Sequence, residues 1–314
     1  MKRRYHSICI DANNLFWRAF CVNTKNALVK KSDVKFHIYI GAIELALKRI
    51  KEIIKTYAYK DTILYFLFDN PESKINIRKI LSEGEYKHPR SEKRVTRQFY
   101  NTINIFVEVL KCYSDNFRIV AIDQLEADDL TYPLVQKIKP AEDNFVLFIS
   151  ADMDWSRNID DYCHWFNWVT IYDIKEFKQK YGFSPVGNAV QLYKAIHGDN
   201  VDNIKNVVPY LPKEILLDIV TRFTSIDDLF SNLWKQDYPK KWKIKIKEVE
   251  REIKINYQLA DFLIVDGDIE EYIINSKEDL KILKFWYDLL EIPDDSRMLT
   301  ERKNFFTRKK ISRI

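Results

Sequence analysis

Nine carboxylates stand where apolar runs end or where a glycine turns the chain: Asp11, Asp69, Glu126, Asp128, Asp129, Asp152, Asp154, Asp199 and Asp202. The densest stretch, Glu126 to Asp129, packs three acids into four residues. Unit charges a few ångströms apart repel by about 1 kcal/mol even in bulk water, so a folded chain keeps such a cluster only with solvation, protonation or a cation. Hydrolysis of a phosphodiester by two divalent ions about 3.5 to 4 Å apart calls for hard oxygen ligands in this number. Taken singly, each acid is more often a turn or cap residue, and Glu126 to Asp129 also suits the acidic first turn of a helix. Recurrence at corresponding places down the chain favours the metal reading.

Other chemistries lack their parts. With six glycines and no glycine-rich phosphate loop, kinase, ATPase and dinucleotide readings are weak. Neither a His-Glu-x-x-His helix nor a Gly-x-Ser-x-Gly elbow is present. Cys9, Cys21, Cys112 and Cys163 are scattered without the paired spacing of a zinc site or redox dithiol, and they read as reduced, buried apolar residues.

The elements that must position the acids follow from hydrophobic patterning. Apolar runs at 6–10, 62–68, 117–122 and 144–149 read as strands, each followed by carboxylates. Between them, Ile40, Ile43, Leu47, Ile50 and Ile54 step by three and four, as do Val95, Phe99, Ile103, Phe106 and Leu110, and Leu125, Leu130, Leu134 and Ile138 suggest a further helix. Shorter strands around a turn near Asn167 are expected at 162–166 and 168–172, with helix or loop as the alternatives. Beyond Gly182 the pattern is helical at 190–196, 212–223 and 242–253, with Gly198-Asp199-Asn200-Val201-Asp202-Asn203 between the first two. Strand and helix alternation of this kind predicts an α/β fold, a doubly wound and mostly parallel sheet with its site at the strand carboxyl ends. Residues 1–182 form the core and 183–314 a helical domain with a basic tail.

Charge is distributed unevenly. The chain has 51 Lys+Arg against 46 Asp+Glu, a modest excess of +5, and 46% hydrophobic residues, as a folded globular protein does. Residues 74–97 carry eight basic side chains against three acidic ones. A solvated helix pair would look the same, but beside an acidic pocket this charge offsets the repulsion of a polyanion. No apolar run approaches the roughly 18 residues of a membrane span, and Asp11 interrupts any signal-peptide core, so a soluble, cytoplasmic protein is expected.

Six segments together carry a family resemblance: Ile10-Asp11-Ala12-Asn13-Asn14, Phe68-Asp69, Glu85-Tyr86-Lys87-His88-Pro89-Arg90, Glu126-Ala127-Asp128-Asp129, Ser150-Ala151-Asp152-Met153-Asp154 and Lys194 through Asn203. In this order they resemble the motifs of the 5′ nuclease family of flap endonucleases and 5′→3′ exonucleases, bacteriophage members above all, over residues 6 to 220. The resemblance implies a PIN-like nuclease core and a divergent helix-hairpin-helix-like region in the carboxyl-terminal domain. It also implies a phosphodiesterase that uses two Mg²⁺ ions, with Mn²⁺ able to substitute, and removes RNA primers and flaps in DNA replication. One ion would be held around Asp11, Asp69, Glu126, Asp128 and Asp129, the other around Asp152, Asp154, Asp199 and Asp202. The implied catalytic residues are Lys87, Arg90, Asp128 and Asp152, and the implied nucleic-acid contacts Tyr86, Lys87, Arg90, Lys93, Arg94, Lys194 and Lys213, with 74–97 forming an arch over the site. Expected partners are DNA and RNA–DNA duplexes with 5′ ends or flaps, and a single-strand-binding protein or clamp docking near Arg302 to Phe306. No membrane is involved, and the chain would act as a monomer, in the host cytoplasm if of phage origin.

One segment departs from the family pattern. Where a Gly-apolar-Gly hairpin is usual, the chain reads Val207-Val208-Pro209-Tyr210-Leu211-Pro212-Lys213, without glycine and with prolines that remove donors. Pro212 can still open a helix whose amino end, with Lys213, attracts phosphate. Two other classes stay open at this level. A haloacid-dehalogenase-like phosphatase would use Asp152 and Asp154 as its nucleophile pair, but leaves Glu126 to Asp129 unexplained. A non-catalytic DNA-binding scaffold would gain nothing from clustered acids.

Overall fold

The computed structural model describes residues 3–29, 34–69, 78, 82, 97–265 and 267–290. The strand-forming run at the start becomes β1 (Tyr5–Asp11), and the polar turn after it is the opening of helix α1 (Ala12–Val29). Then come α2 (Val34–Tyr57), β2 (Ala58–Leu67), α3 (Arg97–Lys111), β3 (Phe117–Val120), α4 (Thr131–Ile138) and β4 (Val146–Ile149). A 3₁₀ turn, Met153–Asn158, leads to β5 (Cys163–Phe166), β6 (Ile171–Tyr172) and α5 (Ile174–Tyr181). The second half runs α6 (Ala189–His197), α7 (Lys213–Arg222), α8 (Ile226–Asn232), α9 (Lys240–Glu248), α10 (Glu250–Leu259), β7 (Ile273–Asn275) and α11 (Leu280–Leu289).

Among the described residues the sheet has seven strands in the order β6-β5-β4-β1-β2-β3-β7. All pairings from β5 to β3 are parallel, and the two edge strands β6 and β7 are antiparallel. Side-chain alternation divides the interior into two layers. Ile8, Ile10, Leu64, Phe66, Leu147 and Ile149 face a core with α1, α2, α3 and α11, while Cys9, Tyr65, Leu67, Val146 and Phe148 face a second core with α4, α6, α7 and α10. Both faces are therefore covered, which is why these strands read as unbroken apolar runs. β1 lies between β2 and β4, so the chain leaves the sheet centre in opposite directions beside Asp11. That switch point, at the carboxyl ends of parallel strands, is where such sheets place a site.

Two sequence-based expectations change in detail. The segment 122–130 is a series of turns, and α4 begins only at Thr131, with no acid in its first turn and no side-chain cap. Gln124 takes a left-handed φ of 70° and Asp129 Oδ2 accepts the Glu126 N–H at 2.9 Å, so the carboxylates organise a loop and do not cap a helix. The stripe Trp242, Ile246, Val249, Ile253 spans two helices that meet at Val249, yet Ile246 and Ile253 are both fully buried as the spacing requires. Among the described residues, no helix is long and apolar enough to cross a membrane.

Candidate metal centre

The acids converge from five points of the fold. Asp11 is the last residue of β1, and Asp69 follows β2. Glu126, Asp128 and Asp129 lie on the loop after β3, Asp152 and Asp154 follow β4, and Asp199 and Asp202 sit on the turn after α6.

In the first group, Asp11 is 8% exposed and both its oxygens accept: Asn14 N–H donates at 2.8 Å and Ser150 Oγ at 2.7 Å. Ser150 also accepts the Asp152 N–H at 3.0 Å, so one hydroxyl ties the ends of β1 and β4 together. Asp69 accepts the Ala127 N–H at 2.8 Å, joining the β2 end to the loop after β3. Burial and the charge of Asp69 push Asp11 up to about 7, against the hydrogen bonds from Ser150 and Asn14. Burial and the charge of Asp129 raise Asp128 well above the usual carboxylate range, with Arg78 opposing.

Asp129 has a different set of partners. It is wholly buried, and Arg78 grips it with Nη2 at 2.6 Å from Oδ1 and Nη1 at 3.1 Å from Oδ2. Leu263 N–H donates to Oδ1 at 2.8 Å, so both oxygens are engaged by protein donors. Arg78 also donates to Glu126 Oε2 at 3.0 Å and to the Asp261 carbonyl at 2.6 Å. A second arginine, Arg157, holds the same returning segment through the Ala260 carbonyl at 2.7 Å and Asp261 Oδ1 at 3.1 Å. Residues 260–263 are thus clamped beside the acidic loop.

The second group is more compact. Asp152, Asp154 and Asp202 each offer an oxygen within 4.8 Å of the others. Asp154 is 5% exposed, and its Oδ1 is buried without a hydrogen-bond partner, as a ligand oxygen waiting for a cation would be. Asp152 caps the 3₁₀ turn by accepting the Asp154 N–H at 3.0 Å. Asp199 closes its turn through paired backbone bonds with Ile204 at 2.8 Å each. Gly198, at φ 81°, makes that turn possible, because a Cβ there would lie 2.5 Å from Asn206 N and 2.6 Å from Ile204 O.

Lys194 differs from its expected place. Expected on the nucleic-acid face, it is 2% exposed, with Nζ 2.7 Å from both Asp154 Oδ2 and Asp199 Oδ2 and 3.8 Å from Asp152 Oδ1 and Asp202 Oδ2. α6 is buried on nearly every side, Val190, Gln191, Leu192, Ala195 and Ile196 included, so Lys194 too faces the interior. Burial alone would lower its pKa, but the charges of Asp154, Asp152, Asp199 and Asp202 outweigh this and raise it. Lys213, by contrast, is exposed at the first position of α7, after Pro212. Tyr86, Lys87, Arg90, Lys93 and Arg94 lie outside the described residues.

Sequence reasoning passed over Arg78, counted only among the basic residues of its segment, and Arg157. It also passed over Trp17 and Tyr100, exposed by 39% and 38% at the amino ends of α1 and α3 and gathered edge-on around Phe99. Burial and the charge of Asp69 raise the Tyr100 pKa. Its only signal was an aromatic on the polar side of a helical stripe.

Parallel strands ending in two carboxylate groups, one completed by a Gly-Asp turn in a helical half, make an α/β fold whose acids could hold divalent ions. The 5′-3′ exonuclease, N-terminal resolvase-like domain matches residues 6–182, and the chain belongs to this family. Its fold is shared with the flap endonuclease of bacteriophage T5. A pseudo-enzyme–product complex of that protein with DNA and metal ions aligns with TM-score 0.62 and 19% identity, over 92% of this chain and 100% of the other. The T5 5′-exonuclease with bound zinc aligns with TM-score 0.61 and 22% identity, over 93% and 99%. A T5 D15 structure co-crystallized with metal ions gives 0.61 and 21%, over 93% and 100%. Comparison with curated protein sequences gave no match. Membership in the family does not favour the phosphatase and scaffold alternatives.

Proposed function

We propose that this chain is a structure-specific 5′ nuclease that hydrolyses phosphodiester bonds near the 5′ ends of flap, nicked or RNA-primed duplexes, removing primers and flaps during replication. The observation that carries the reading is the convergence of two carboxylate groups on the switch point of the sheet, one with the buried, unsatisfied Asp154 Oδ1. Mg²⁺, with Mn²⁺ as a substitute, fits an all-oxygen donor set of this kind. When bound, such ions supply an activated water and charge to offset the entering and leaving oxygens.

The chain's own residues do the rest. Asp11, Asp69, Glu126 and Asp128 form the first ligand group and Asp152, Asp154, Asp199 and Asp202 the second, with Ser150 fixing the relative position of Asp11 and Asp152. Asp129, whose oxygens are taken by Arg78 and two backbone N–H groups, holds the loop in place for Glu126 and Asp128. Lys87 and Arg90, with Lys93 and Arg94, grip phosphate from the segment 74–97, and Tyr86, Trp17 and Tyr100 offer ring faces to splayed bases. The helical half, 183–314, holds duplex through Lys213 and the amino end of α7. Tyr210, 92% exposed at φ 65°, takes a left-handed conformation, which favours glycine, in the turn before α7. The chain acts as a monomer on DNA and RNA–DNA duplexes, and a replication protein docks on residues 302–306, which lie outside the described residues.

The test is a 5′-labelled flap and an RNA-primed duplex incubated with Mg²⁺ or with EDTA. Short 5′ products with Mg²⁺ and none with EDTA are expected; cutting that survives EDTA contradicts the reading. The pH dependence follows from the site. Asp11, Asp128 and Asp154 hold protons to a higher pH than ordinary carboxylates because they are buried, and a divalent ion must displace those protons. Affinity for Mn²⁺ should therefore rise from pH 6 to pH 8, by up to about tenfold per pH unit for each proton released. The metal-free fold should lose stability as pH rises from about 4 to about 7, since Asp11 binds its proton more tightly folded than unfolded. Calorimetry in buffers of different ionisation enthalpy counts the protons, and pH-independent affinity would contradict the burial argument.

A further inference from the structure

Four carboxylates of the second group surround a cation that belongs to the protein itself. The Lys194 ammonium lies within 2.7 Å of two of them and 3.8 Å of the other two. Three of the same four, Asp152, Asp154 and Asp202, bring oxygens within 4.8 Å of one another, so ammonium and divalent ion draw on one set of ligands. At 2% exposure Lys194 cannot be screened by water, and its charge is balanced only by these acids. An incoming ion would take oxygens that the ammonium now engages and meet its repulsion at close range.

We propose that Lys194 is a built-in counter-ion of the second carboxylate group, which holds Asp152, Asp154, Asp199 and Asp202 together in the metal-free protein and competes with the second divalent ion for them. Entry of the ion draws Asp154 and Asp199 away from the ammonium. The first group also meets a guanidinium, since Arg78 donates to Glu126 Oε2 at 3.0 Å, but Arg78 is shared with Asp129 and the Asp261 carbonyl, whereas Lys194 is ringed by four carboxylates of the second group.

The inference rests on the metal-dependent reading above, and the experiment separates the two. Mn²⁺ binding is measured by calorimetry and by electron paramagnetic resonance, without DNA, for the wild-type protein, Lys194→Met and Lys194→Arg. Thermal unfolding is followed with and without Mn²⁺. The wild type is expected to bind two ions, one at each carboxylate group. Lys194→Met should tighten the second ion by about tenfold or more, melt about 5 °C lower in EDTA, and gain more than wild type from added Mn²⁺. Lys194→Arg, which keeps the charge, should leave the second affinity within about threefold of wild type. A folded Lys194→Met that binds the second ion no more tightly than wild type overturns the proposal. Should Lys194→Met not fold, the wild-type Lys194 ε-methylene resonance decides: it must shift on Mg²⁺ saturation, and a resonance that does not respond overturns the proposal. Failure of the wild type to bind any divalent ion instead overturns the nuclease reading itself.

Discussion

Asp152→Asn is expected to reduce cleavage of a 5′-flap duplex by at least about 10³-fold while changing affinity for the same DNA by less than about threefold. Asparagine keeps the acceptor oxygen that receives the Asp154 N–H, so the cap of the 3₁₀ turn and the local fold survive. What disappears is one unit of negative charge from the tight group with Asp154 and Asp202. Metal stabilisation of charge developing in the reaction is worth several kcal/mol, and each 1.36 kcal/mol is tenfold in rate. Removing an acid does not weaken attraction to phosphate, so binding holds or improves slightly. Wild-type turnover by Asp152→Asn would remove Asp152 from the ligand set.

The second large effect concerns stability. Arg78→Met is expected to lower the unfolding free energy by about 3 to 5 kcal/mol, because it leaves the wholly buried Asp129 and the Asp261 carbonyl without their guanidinium. The double variant Arg78→Met, Asp129→Leu should recover only part of the loss, since it removes the uncompensated carboxylate but leaves the Glu126 and Leu263 N–H groups and the Asp261 carbonyl without those partners. Urea unfolding of the metal-free proteins reads both values. A single-variant loss below about 1 kcal/mol would show that solvent reaches the pair. Nuclease activity should fall in the double variant even where stability returns, because the Glu126 side chain also loses its 3.0 Å contact to Arg78.

Much of the site was legible because its parts are local. An apolar run followed by an acid is a strand end whatever the rest of the chain does, and Asp11, Asp69 and Asp152 were found by that signal alone. The Gly-Asp turn was equally plain, since the left-handed Gly198 and its closely packed neighbours permit no side chain. What the sequence concealed depends on partners brought together from afar. Arg78 meets the carbonyl of Asp261 from the other end of the chain, and nothing in either neighbourhood announces the pair. Lys194 was expected among the nucleic-acid contacts, but the acids that surround its charge come from the 3₁₀ turn after β4 as well as from its own turn. Glu126 to Asp129 fitted an acidic helix start by composition, and only the left-handed Gln124 and the pairing of Asp129 show why the helix waits until Thr131.

The strand Ile273–Asn275 runs antiparallel along the outer edge of β3, with Val120 opposite Ile273, and α11 then packs Leu283 and Tyr287 into the first core. An unpaired strand edge is a template for another chain. A ribosome delivers β1 to β4 long before it delivers β7, so the nascent protein carries that open edge through most of its synthesis. Chaperone capture and misassembly should therefore concentrate on chains halted before residue 273. A fragment ending at 182, where the family match stops, would keep β3 bare for its whole lifetime.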